Sequence, residues 1–198
     1  MRTLIHLVLL CALLGTSGCA WTAQRVNLNP AVAVPASRIG KGRPVFVEVK
    51  DERPSEILGY KVPAGGGEIK PSQDPALVGR GALVGGLTQL GFQPAAQASA
   101  ATPALAVELR AIDYKVTQGF WSGGLYVDVA MKALCKIGDT IKYDALYRGH
   151  HEENIQVAQS QAENEEYIND ALSQAINGAL RDERLLQCLA GGDASGSS

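Results

Sequence analysis

Val45, Val47 and Val49 alternate with Phe46, Glu48 and Lys50, the period of two that turns one face of a strand toward a core. Pro44 opens this strand. Residues 51–74 carry no sustained period, and Gly65, Gly66 and Gly67 separate short strand candidates at 57–62 and 68–70. The pattern then becomes helical. Leu77, Leu83, Val84, Leu87 and Leu90 share a broad apolar face, with Asp74 as N-cap, Pro75 at the first helical position and Gly91 just past the end, which are start and stop signals. Gly79, Gly81, Gly85 and Gly86 each weaken this helix by roughly 1 kcal/mol relative to alanine. Close packing on a sheet is the expected compensation.

After an alanine-rich connector at 93–103, three strands are predicted at 104–117, 125–137 and 141–149. Val127, Val129, Met131, Ala133 and Cys135 share one face of the second, and Ile141, Tyr143, Ala145 and Tyr147 one face of the third. A three-residue loop at Gly138, Asp139 and Thr140 pairs Cys135 with Tyr143 and brings both apolar sets to the same side, which a two-residue turn would not. Ser160 and Glu163 form a capping box. Ile168, Leu172, Ala175, Ile176, Ala179 and Leu186 then keep helical spacing, which predicts one long amphipathic helix. The expected fold is α+β, with a mainly antiparallel sheet in the order strand, helix, three-strand meander, helix, and both helices on one face.

The chain has 198 residues, 46% hydrophobic and 19% charged, and a net charge of −2. That suits one globular domain. It lacks the basic excess of a nucleic-acid-binding surface, so no nucleic-acid partner is expected. Residues 1–18 read as a secretory signal: Arg2, an apolar stretch from Leu4 to Leu14, then Gly15, Thr16, Ser17 and Gly18 before Cys19. The small residues before Cys19 are similar to a bacterial lipobox, with Thr16 where leucine is usual. Cys19 is the expected lipid attachment site, and three acyl chains would hold the protein firmly on a membrane. Ala20 and Trp21 follow without an aspartate, which favours the periplasmic face of the outer membrane. Residues 19–43, with Pro30 and Pro35, read as a lipidated tether in which Val26 and Leu28 offer a short edge strand. Residues 44–190 are the domain and 191–198 a flexible tail.

With Cys19 acylated, Cys135 and Cys188 remain as a disulfide candidate in an oxidising compartment. Counted at 100° per residue, an unbroken helix would turn Cys188 away from the stripe that begins at Ile168. The bond therefore needs the helix to end or bend around Arg184 to Leu186. Otherwise the two thiols stay unpaired.

Asp51-Glu52-Arg53-Pro54 after the valine strand, Leu58-Gly59-Tyr60, Leu90-Gly91-Phe92, and the run from Asn164 to Ser173 continuing to Leu185-Leu186 together resemble the YajG-family envelope lipoproteins over most of residues 19–190. The resemblance implies an envelope lipoprotein. It brings no defined activity and no catalytic residues.

The remaining residue patterns carry little chemistry. Gly79, Gly81 and Gly85 lie inside the helix, whereas a phosphate loop needs its glycines in the turn before one. His150 and His151 are adjacent on a strand and so face opposite ways, which chelates one ion poorly. No metal, cofactor or catalytic set is predicted. Asp51, Arg53 and Pro54 are expected to fix the loop at 51–60. Phe120 and Trp121, between glycines, are either an exposed partner contact or a cover over the sheet edge. The function expected is a non-enzymatic interaction module, tied to the membrane by its N-terminal lipid and meeting an envelope protein partner. The alternative is an accessory subunit of lipid or envelope-component transport, which would require an apolar groove between helix and sheet. The oligomeric state is not legible.

Overall fold

The computed structural model describes residues 21–63, 65–99, 101–118, 123–156 and 159–191. The signal segment, Cys19, Phe120, Trp121 and the tail beyond Gly191 lie outside the described residues. In chain order the elements are β1 (Gln24–Val26), β2 (Pro44–Asp51), β3 (Gly59–Val62), β4 (Gly66–Pro71), α1 (Pro75–Gln89), β5 (Gln93–Pro94), β6 (Ala104–Gln118), β7 (Gly123–Ile137), β8 (Thr140–Ile155), α2 (Gln161–Arg181) and α3 (Glu183–Leu189).

The fold is α+β, but the sheet is mixed rather than mainly antiparallel. β6, β7 and β8 form the expected antiparallel meander. β2, however, runs parallel to β6, from Phe46 opposite Ala104 to Asp51 opposite Leu109. The chain between these strands contains α1, and such a crossover returns it to the end where β2 began. The β3–β4 hairpin precedes α1, so the element order also differs from expectation. β3 meets β6 further along the same edge, at Tyr114, and β1 closes the sheet beside β4 in parallel. β6 changes partner from β2 to β3 around a register shift between Leu109 and Ala111, where an extra residue bends a strand.

Between β7 and β8 the turn is two residues, Gly138 and Asp139, with Ile137 opposite Thr140 and Gly138 at φ 58°. Lys142 bulges out, so Cys135 still pairs with Tyr143. The bulge performs the face correction for which a third loop residue was expected.

α1 packs on β2, and α2 on β7 and β8, over the same sheet face. Val107, Leu109 and Met131 lie beneath Leu83 of α1 and Leu172 and Ile176 of α2, around a void of only about 10 Å³, room for a single water at most. Among the helix glycines, Gly86 accommodates the other helix rather than the sheet: a Cβ there would collide with Leu180 of α2. Gly81 and Gly85 face open space, and Leu77, expected on the apolar face, is 68% exposed. Gly149 lets α2 lie directly on β8, since a Cβ would run into the carbonyl of Ala171. Among the described residues, the opposite face of the sheet carries no helix.

Candidate functional site

The segment read as a tether is part of the domain, and Val26 ends the short edge strand β1. Val26, Leu28 and Val34 are buried, and residues 27–33 lie along α2 in a ladder of side-chain to backbone hydrogen bonds. The backbone N–H of Asn27 donates to Glu165 Oε1 at 2.9 Å, that of Asn29 to Asn169 Oδ1 at 2.6 Å, that of Ala31 to Ser173 Oγ at 2.8 Å and that of Ala33 to Asn177 Oδ1 at 2.8 Å. Donors on the helix answer them: Asn169 Nδ2 to the carbonyl of Asn27, Asn177 Nδ2 to Ala31 and Arg181 Nη2 to Ala33.

The match is geometric. Four residues of helix rise about 6.0 Å, and two residues of extended chain about 6.2–6.8 Å. Every fourth helix side chain thus meets every second strap residue. Hydrogen bonds from Gln161 and from the backbone and side chain of Asn27 hold the Glu165 carboxyl below its ordinary pKa. The polar stripe Glu165, Asn169, Ser173, Asn177 and Arg181 is visible in the sequence as a period of four, but there it is indistinguishable from a solvated helix face.

At the start of the strap, a buried polar chain joins three elements. Tyr114 on β6 donates to Asn164 Oδ1 at 2.7 Å, and Asn164 Nδ2 donates to Gln24 Oε1 on β1 at 2.6 Å. Burial, followed by the nearby Tyr167 and Glu163, pushes the Tyr114 hydroxyl well above its ordinary range.

The far end of α2 is set by Asp182. Its carboxylate accepts from the N–H groups of Arg184 and Leu185, capping α3, and from the hydroxyls of Tyr143 at 2.8 Å and Tyr147 at 2.6 Å on β8. Burial raises its pKa, but these hydrogen bonds outweigh it and leave the carboxyl below its ordinary value. The break at Asp182 starts α3 afresh and turns Cys188 inward. Cys135 and Cys188, both fully buried, form a disulfide with a Cα separation of 6.4 Å. The single long helix expected is two helices, with the change of direction slightly ahead of the predicted bend.

Asp51 and Arg53 form a bidentate pair at 2.8 and 2.7 Å, and Asp51 also accepts from the backbone N–H of Arg53. Burial raises the Asp51 pKa, but Arg53 holds it below the ordinary value. The pair sits where the chain leaves β2, ahead of Pro54. Its guanidinium serves Asp51 rather than the rest of the loop, and the side chain is only 4% exposed.

His150 and His151 face opposite ways. His150 pairs with Asp128 at 2.8 Å, a hydrogen bond that raises its pKa. His151 pairs with Asp170 at 2.9 Å and stacks on Tyr167. No cluster of three His, Cys, Asp or Glu side chains suited to a metal occurs among the described residues. Phe120 and Trp121 are outside them, between the paired ends Gln118 and Gly123.

No helix among the described residues is long and apolar enough to cross a membrane. No curated protein matches the sequence. Among solved structures, a Xanthomonas campestris protein of the DUF330 family superposes with a TM-score of 0.57 at 10% identity, over 85% of this chain and 97% of that one, which shows a shared fold. A minor lipoprotein from Acinetobacter baumannii superposes at 0.48 with 9% identity, over 76% and 95% of the two chains. The model of a family described as uncharacterized lipoprotein matches residues 30–190, from within the strap to just past α3, and the chain belongs to that bacterial lipoprotein family.

Proposed function

We propose that the chain is an envelope lipoprotein of the YajG type, acylated at Cys19 and held at the periplasmic face of the outer membrane, where it acts as a non-enzymatic interaction module for an envelope protein. The hydrogen-bonded strap carries this reading. Only residues 20–23 separate Cys19 from β1, and five extended residues reach at most about 17 Å. A lipid on Cys19 would therefore hold the domain against the bilayer surface with a restricted orientation, instead of letting it wander on a long linker. Such an arrangement suits a protein that presents a defined face to a neighbour in the same membrane. Where α1 and α2 meet the sheet, the void around Leu83, Met131 and Ile176 is only about 10 Å³, too small for an acyl chain, which favours the interaction reading over transport.

The test joins fractionation with in vivo crosslinking. Cys19→Ser should move the protein from membranes to the soluble envelope fraction, and crosslinking of the native chain should capture a protein. A variant that stays fully membrane-bound in high salt overturns the anchor. Capture of lipid alone replaces the interaction module with the transport subunit.

A further inference from the structure

The free edge of β8 has an internal symmetry that fits a second copy of this chain. Among the described residues β8 pairs only with β7. The His150 N–H turns away from β7 and donates to Gln174 Oε1 on α2 at 3.2 Å. By the two-residue alternation of a strand, Asp144, Leu146 and Arg148 direct their backbone N–H and C=O groups to the same free edge. None of these three has a backbone hydrogen-bond partner on that side among the described residues. Their side chains lie on the sheet face that no helix covers. There Leu146 is 45% exposed, Asp144 is half exposed beside Lys132, and Arg148 makes no ion pair among the described residues.

We infer that two copies of the chain pair antiparallel through residues 144–148 of β8, about a two-fold axis at Leu146. In that register Leu146 meets Leu146 of the other copy, and Asp144 of each meets Arg148 of the other. Three residue pairs exchange about six main-chain hydrogen bonds, flanked by two opposite-charge cross-strand pairs. The ladder has built-in ends. His150 is already capped by Gln174, and the residue opposite it would be Lys142, which bulges out of the strand. Both interruptions lie four residues from Leu146, so the free window is symmetric about it. An isologous contact of this kind closes on itself as a dimer, whereas a long uniform edge would invite open-ended association. The pairing does not depend on the lipid.

So short an edge buries little area, so crosslinking in the envelope reads it better than sizing. The full chain carrying Leu146→Cys, oxidised in intact cells, should give a disulfide-linked dimer, because directly opposed Cα atoms lie about 5.5 Å apart. Lys132→Cys, one strand inward on the same face, should give at least tenfold less, since its counterpart would be about 14 Å away. In the Leu146→Cys background, Asp144→Arg should cut the dimer at least fivefold, and adding Arg148→Asp should restore it. Formation of the Cys135–Cys188 bond in each variant confirms folding. The inference is overturned if folded Leu146→Cys stays monomeric or is trapped only with another protein. It also fails if Lys132→Cys crosslinks equally, or if the double charge reversal gives no recovery.

Discussion

The Tyr114 hydroxyl donates to Asn164 Oδ1 at 2.7 Å, joining β6 to α2 across 50 residues of sequence with both side chains out of water. Asn164 in turn holds Gln24, so this pair locks the start of the strap to the sheet. Tyr114→Phe would keep the ring and leave the buried Asn164 oxygen without its donor, a cost of about 1–3 kcal/mol. Thermal or chemical denaturation should show that loss, and Tyr114→Phe with Asn164→Leu should recover part of it.

Asn177 is the most buried rung of the strap ladder, 7% exposed and bonded to both Ala31 and Ala33. Asn177→Ala should destabilise by about 1–3 kcal/mol. More tellingly, hydrogen exchange should accelerate at residues 27–33 while β6 and β7 stay protected. A strap that exchanges at the same rate with and without Asn177 would show that the ladder does not hold it.

Asp182 ties helix capping to pH. Its folded pKa lies below the ordinary value, so the stability it contributes is present above the unfolded carboxylate pKa near 4. That contribution is lost as pH falls through the folded value. Asp182→Ala removes a cap and two hydroxyl partners and should cost roughly 2 kcal/mol at neutral pH. The variant's deficit relative to the native chain should shrink below pH 4. The Cys135–Cys188 bond should keep α3 docked at neutral pH, so reduction combined with Asp182→Ala should exceed either alone.

The glycines of α1 should divide by what faces them. Gly81→Ala and Gly85→Ala add a methyl toward open space and should each stabilise by roughly 0.5–1 kcal/mol. Gly86→Ala must displace Leu180 and should destabilise. Melting temperatures of the three single variants check the division, and a stabilising Gly86→Ala would contradict the helix contact.

Local chemistry made several elements legible in the sequence. Asp74 and Pro75 start α1 where the structure starts it. Ser160 and Glu163 cap α2, and the alternation placed the apolar faces of β7 and of β8 from Tyr143 to Tyr147, whereas Ile141, beyond the Lys142 bulge, falls opposite Lys136 and is exposed. Each of these is decided by residues within a turn or two of one another, so the sequence alone determined them. Membership of a lipoprotein family was likewise legible, as an ordered set of short motifs. The tertiary structure alone decided that β2 runs parallel to β6, that residues 27–33 strap α2, that Asp182 breaks the long helix and that Lys142 bulges. The reason is separation along the chain. Ala33 and Asn177 are 144 residues apart, and Asp182 breaks the helix while bonded to Tyr143 and Tyr147, 39 and 35 residues before it. A stripe of Asn, Ser and Glu spaced by four reads the same whether water or an extended strand satisfies it, and only the packed chain chooses between them.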